Sequence, residues 1–83
     1  MARTFKTEAG LTQWITDELR LDPVCRSVAF QPAFNKYQVN SPNECNWGLG
    51  LLRDADDWPT ACRRLLLKVV ATAQRQFNLE VNE

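Results

Sequence analysis

The side chains in this sequence best suited to covalent or metal chemistry are three cysteines. Cys25, Cys45 and Cys62 are widely spaced, without a C-x-x-C pair, and the chain of 83 residues contains no histidine. Histidine is the usual general base beside a catalytic thiol and a common zinc ligand, so its absence argues against both kinds of site. We therefore predict a protein that is not an enzyme and that holds no metal and no cofactor.

The stretch "CNWGLGLL", which begins at Cys45, has the period-two pattern of a β-strand. One face would carry Cys45, Trp47, Leu49 and Leu51, so we predict that the thiol is a small apolar side chain of the core. An odd number of cysteines without a secretion signal is typical of reduced thiols. The sequence thus predicts a cytoplasmic protein with three free cysteines.

Two acidic groups resemble sites only superficially. Asp54, Asp56 and Asp57 form "DADD", which lacks the glycine and the bidentate glutamate of a calcium loop. Their position before a helix is explained by the favourable interaction of acidic groups with a helix N-terminus. Asp17 and Glu18 are adjacent on a helix and point about 100° apart, so they do not converge as a general acid and base.

Length and composition limit the protein to one small domain, residues 1–83. Ten basic and ten acidic residues give a formal net charge of zero, and 45% of the residues are hydrophobic. This balance does not call for nucleic acid or an anionic membrane as a partner. No apolar run approaches the roughly 18 residues that a membrane helix needs.

Helical periodicity predicts an α-helix at each end of the chain. Leu11, Ile15 and Leu19 recur at helical spacing within a helix over residues 8–20, with Thr7 as N-cap and "LDP" as its end. A second helix would begin with Asp57 or Trp58 as its cap and Pro59 in its first turn, and "FNLE" would close it. Its apolar face contains Cys62, Leu66, Val69, Val70, Ala73 and Phe77.

Between the helices, three runs with period two predict three strands joined as a meander. The inner face would carry Val28, Phe30, Tyr37, Val39, Trp47, Leu49 and Leu51, and the outer face Ser27, Ala29, Gln38, Asn40, Asn46, Gly48 and Gly50. The predicted fold is α+β, a two-layer open-faced sandwich in the order helix-strand-strand-strand-helix. The sheet would be an antiparallel meander with both helices on one face.

The outer face of that sheet is the predicted partner surface. It would be flat and nearly uncharged, with Gln38, Asn46, Gly48 and Gly50 exposed to solvent. Glycine within a strand often marks a place where another backbone comes close. The alternative is that the glycines relieve crowding beside Trp47. We expect a non-enzymatic binding module whose partner is another protein or a second copy of itself.

The second helix offers an alternative surface. Its basic residues are Arg63, Arg64, Lys68 and Arg75. The order helix, three strands, helix resembles a double-stranded RNA-binding domain, in which a basic cluster on the second helix contacts phosphates. The resemblance implies duplex RNA binding through these residues. The chain departs from that family in its acidic helix entrance and its loop "QPAFNK", and a solvated charged helix face explains the same residues.

The letters "CNW" and the C-terminal "AQRQFNLE" form a second pattern. They resemble a pattern in small proteobacterial proteins that have no assigned activity. The resemblance implies a stand-alone bacterial or phage-borne protein, and it transfers no functional residues.

Overall fold

The protein is a small α+β fold, as the sequence predicts, but with a different arrangement of strands. The computed structural model describes residues 4–40, 44–50 and 57–80. In chain order these contain β1 (Thr4–Lys6), α1 (Glu8–Leu19), a 3₁₀ turn (Pro23–Cys25), β2 (Phe34–Lys36), β3 (Trp47–Leu49), α2 (Thr60–Gln76) and β4 (Phe77–Leu79). β1 pairs in parallel with β4, and β2 pairs antiparallel with β3. The described strands therefore form two short sheets and not one three-stranded meander.

Helix α1 follows the sequence prediction closely. Thr7 is its N-cap, and the hydroxyl oxygen of Thr7 accepts a hydrogen bond from the backbone N–H of Gly10 at 3.0 Å. This bond satisfies one of the N–H groups that the first turn of a helix leaves without an intrahelical partner. Leu11, Ile15 and Leu19 are buried, so the predicted apolar stripe faces the core.

Helix α2 begins later than predicted and ends differently. Pro59 is the N-cap and makes no side-chain capping bond, so neither Asp57 nor Trp58 caps the helix. The predicted closing segment is instead the strand β4. In a continued helix Phe77 and Leu79 would point about 200° apart, whereas in a strand they share one side. The strand buries both residues, which explains why the chain leaves the helix here.

The first predicted strand is absent from the described structure. Residues 26–33, which follow the 3₁₀ turn, contain no strand. The alternating burial is nevertheless present. Val28 is half-buried and Phe30 is buried against Trp58, while Ser27 and Ala29 are exposed. In this segment the period-two pattern therefore correctly predicted that Val28 and Phe30 face the core, but it did not predict the absence of a strand.

The pairing of β2 with β3 corrects the predicted faces of the sheet. Lys36 pairs with Trp47, and the N–H of Tyr37 donates to the carbonyl of Asn46 at 2.7 Å. Tyr37 therefore lies on the side of Gly48 and is 54% exposed, so its predicted place on the inner face is wrong. A difference of one residue in register moves a side chain to the other face. Trp47 is 1% exposed, which confirms its predicted place in the core.

A disulfide joins Cys25 to Cys62, which corrects the prediction of three reduced thiols. Both cysteines are fully buried, and their Cα atoms lie 5.6 Å apart. The bond ties the 3₁₀ turn to the first turn of α2. The pairing could not be predicted from the sequence, because the two cysteines lie 37 positions apart.

Several predictions concern parts of the chain outside the described residues. These are the turn at 41–43, the position of Leu51 in the predicted inner face, and the acidic residues Asp54 and Asp56. In the part that is described, no helix has the length and hydrophobicity needed to span a lipid bilayer.

Candidate functional site

The predicted partner surface does not exist as one flat face, because Asn46 is buried. Asn46 is 6% exposed. Its Nδ2 donates to the carbonyl of Leu79 at 2.9 Å, and its Oδ1 accepts from the N–H of Leu79 at 2.9 Å. The side-chain amide of Asn46 thus makes the pair of backbone hydrogen bonds to Leu79 that a neighbouring strand would make. A second bond joins the same two segments, because Asn78 Nδ2 donates to the carbonyl of Glu44 at 3.0 Å. The predicted exposure of Asn46 is wrong because its amide joins two parts of the fold.

The two glycines of that surface lie against other residues. Gly48 is buried, and a Cβ atom there would lie 2.7 Å from the hydroxyl of Tyr37. Gly50 is half-buried, and a Cβ atom there would lie 2.9 Å from the carbonyl oxygen of Ala33. Both positions are thus crowded, Gly48 by Tyr37 and Gly50 by Ala33. Of the four residues predicted to bind a partner, Gln38 is exposed and the other three are buried or half-buried.

Cys45 is the free cysteine of the described structure. It is half-buried and packs against the core, and its Sγ donates to the carbonyl of Trp47 at 3.2 Å. These contacts are those of a small core side chain. Among residues 4–40, 44–50 and 57–80, no group of three or more metal-ligating side chains comes together.

The basic side of α2 is fully accessible. Arg63, Arg64, Lys68 and Arg75 are all exposed, and α2 contains no acidic residue. The single ion pair within the described residues joins Lys36 Nζ to Glu8 Oε1 at 3.8 Å, away from this helix. The positive charge of α2 is therefore not neutralised by an ion pair within the described part of the fold.

Exposed apolar side chains lie close together in the sequence where α1 ends. Leu21 is 75% exposed and Val24 is 55% exposed. Leu21, Pro23 and the half-buried Leu65 line a groove of about 460 Å³ between α1 and α2, together with Glu18, Asp22 and Val69. We call Leu21, Pro23, Val24 and Leu65 the apolar patch. Large aliphatic side chains that are exposed to solvent beside a groove are typical of interaction sites.

Local structure fixes the apolar patch in place. The carboxylate of Asp22 accepts from the N–H of Val24 at 2.9 Å and so caps the 3₁₀ turn. Pro23 occupies the first position of that turn, where its fixed φ suits the geometry. The Cys25–Cys62 disulfide then anchors the turn to α2. The apolar patch is thus carried by a restrained segment and not by a free loop.

The sequence analysis missed the apolar patch because it assigned "LDP" only the role of ending a helix. A usable signal was present: Leu21 falls outside the helical spacing of Leu11, Ile15 and Leu19, and Val24 follows a proline. Apolar residues outside the periodic stripe have no obvious place in the core.

No protein-family model, no characterised protein and no solved structure matches this chain.

Proposed function

We propose that the protein is a small, non-enzymatic binding module that engages another protein chain through the apolar patch. One observation carries the proposal: Leu21 is 75% exposed and lines, with Leu65 and Val69, the groove between α1 and α2. Val24, in the 3₁₀ turn that follows, is 55% exposed. Burying these side chains against a partner would remove apolar surface from water at about 25 cal/mol per Å². The restrained turn supports the same function, because little conformational entropy is lost when a preorganised surface binds.

Two leucines of similar exposure allow a matched test of this proposal. Leu21 is 75% exposed in the apolar patch, and Leu67 is 72% exposed on α2, outside the groove lining. We expect Leu21→Ser to weaken partner binding about tenfold, because one well-packed aliphatic contact contributes on that order. Leu67→Ser should bind as the wild type does. Both variants should remain folded, since both side chains are largely in water.

The measurement is affinity capture from the native cell with wild-type, Leu21→Ser and Leu67→Ser proteins at equal concentration. A protein recovered by the wild type and Leu67→Ser, but lost with Leu21→Ser, supports the proposal. Equal recovery by all three, with circular dichroism showing intact folds, would place the interaction elsewhere and reject the apolar patch.

Binding of duplex RNA through α2 is the second candidate function. It is favoured by the four exposed cations of a 17-residue helix that carries no acidic residue. Arg64 and Arg75 are roughly three helical turns apart, so they extend along one side of the helix. Asp57 is exposed beside the helix entrance and would repel phosphates at that end.

The charge-reversal variant Arg64→Glu/Arg75→Glu tests this second candidate. If α2 binds phosphates, the variant should lose gel-shift of duplex RNA at low salt and flatten the salt dependence of binding. The control is Lys36→Glu, which alters a cation outside α2. Binding that is absent in the wild type, or unaltered in the α2 variant, would exclude this function.

The compartment is part of the proposal. The cysteine pattern predicts the cytoplasm, where glutathione and thioredoxin keep thiols reduced. The Cys25–Cys62 disulfide argues against that location and favours an oxidising compartment. Acid quenching of cells, followed by alkylation in denaturant, measures this directly, because denaturation exposes the two buried cysteines. A cysteine pair that stays unalkylated supports export, and full alkylation of all three thiols supports the cytoplasm.

A further inference from the structure

The two helices carry opposite charges. Between Glu8 and Leu19, α1 contains Glu8, Asp17 and Glu18 and no basic residue. Helix α2 contains four basic residues and no acidic one. No ion pair within 4.0 Å joins the two helices in the described structure, where the recorded pair is Glu8 with Lys36. Glu8 is thus engaged by Lys36, whereas Glu18 and the basic residues of α2 make no ion pair within the described residues.

The helices pack side by side in opposite directions. The ring of Trp14, in the middle of α1, contacts that of Phe77, just after the C-terminal end of α2, with centroids 5.2 Å apart. Cys25, beyond the C-terminal end of α1, bonds to Cys62 in the first turn of α2. Between them, Glu18 and Lys68 line opposite sides of a second groove that also contains Thr72. Glu18 thus lies on the α1 side of the seam, which we call the acidic edge, and Lys68 lies on the α2 side, which we call the basic edge. Glu18 also lines the groove that contains Leu21 and Leu65 of the apolar patch.

We propose that this face binds a second copy of the chain, in a dimer whose two-fold axis runs parallel to the helices. This inference rests on the proposed function, because it names the partner of the apolar patch. Rotation about such an axis places the acidic edge of one copy opposite the basic edge of the other. Glu18 of each copy then faces Lys68 of its partner, and the apolar patches meet in the centre.

The arrangement of helices is also favourable. Each α1 faces the α2 of the other copy and runs antiparallel to it, which gives a four-helix bundle with the apolar patches at its centre. A formal net charge of zero removes the long-range repulsion that keeps strongly charged chains apart. A face with one sign of charge would repel its own copy, whereas these two edges complement each other.

A charge-swap series tests the dimer by sedimentation equilibrium over a range of concentrations at low salt. Glu18→Lys and Lys68→Glu should each raise the dimer dissociation constant about tenfold, because each substitution places like charges together twice in a symmetric dimer. The double variant Glu18→Lys/Lys68→Glu should recover most of the wild-type affinity. Glu80→Lys is the control, since it makes the same change of charge on an exposed residue after β4.

Each outcome bears on the inference separately from the proposed function. Recovery in the double variant, with loss of the dimer in Leu21→Ser, supports the dimer. A wild type that is monomeric at every concentration overturns it, and the capture experiment above still decides whether a different protein binds the apolar patch. A dimer that Leu21→Ser and both charge variants leave unchanged uses another face, which also overturns the inference. If Glu18→Lys does not fold, the dissociation constants of Lys68→Glu and Leu21→Ser still show whether the dimer uses this face.

Discussion

Reduction of the Cys25–Cys62 disulfide is expected to lower the free energy of unfolding by about 4 kcal/mol. The bond closes a loop with a sequence separation of 37 residues, and it thereby restricts the unfolded chain. Both cysteines are fully buried, so the folded chain holds them together without exposing sulfur to water. Without the bond, the unfolded state regains the conformational freedom of that loop.

The effect is large relative to the size of the domain. A chain of 83 residues typically has a free energy of unfolding of about 4–12 kcal/mol. Loss of about 4 kcal/mol should therefore lower Tm by about 15–30 °C. It should also loosen the 3₁₀ turn that carries Val24, because the turn is anchored to α2 through Cys25.

Thermal unfolding followed by circular dichroism, with and without dithiothreitol, measures this loss. The double variant Cys25→Ala/Cys62→Ala should melt near the reduced wild type, and dithiothreitol should not lower its Tm further. Cys45→Ala is the matched control and should keep the full response to the reductant. Thiol titration of the denatured, unreduced protein should find one reactive group, Cys45. Equal melting temperatures for oxidised and reduced wild type would contradict the prediction.

The helices could be predicted from the sequence because their signals are local. The spacing of Leu11, Ile15 and Leu19 and the capping side chain of Thr7 are both contained within a few turns of α1. Periodicity also correctly predicted burial at Phe30 and Trp47. Such signals depend on neighbours in the chain, which a sequence displays directly.

The strand arrangement could not be predicted, because its contacts are remote in sequence. β1 and β4 are three residues each and pair Thr4 with Phe77, almost the full length of the chain apart. No period can be recognised in three residues. The buried side-chain bonds of Asn46 to Leu79 are equally remote, with 33 positions between them. A polar residue in a strand is normally taken to face water, and only its distant partner shows otherwise.

The apolar patch was hidden for a different reason. Leu21 and Val24 flank Pro23, and the signals that end a helix explained this segment without reference to function. The disulfide that anchors the turn to α2 was likewise not predicted. The basic side of α2 could be predicted from the sequence, because the helical spacing of charged residues is enough to identify a solvent-exposed helix face. Sequence reasoning therefore found the charged surface and missed the apolar one.

Trp47→Ala is expected to lower the free energy of unfolding by about 3–5 kcal/mol, because it removes a large side chain from the middle of the core. Trp47 is 1% exposed, and its ring meets that of Phe34 edge-on with centroids 5.6 Å apart. Its Nε1 donates to the carbonyl of Phe77 at 2.9 Å. The residue thus links β3 to the start of β4, and alanine would remove both the packing and this bond.

Two further variants separate these contributions when all are compared by chemical denaturation. Trp47→Phe should cost less than Trp47→Ala, because it retains much of the ring volume while losing the Nε1 donor, a loss of roughly 1–2 kcal/mol. Tyr37→Ala removes an aromatic ring that is 54% exposed, and it should cost least. If packing in the core dominates, the loss in free energy of unfolding should be largest for Trp47→Ala, smaller for Trp47→Phe and smallest for Tyr37→Ala. Cooperative unfolding of Trp47→Ala at the wild-type midpoint would instead place Trp47 outside the core and reject the pairing of β2 with β3.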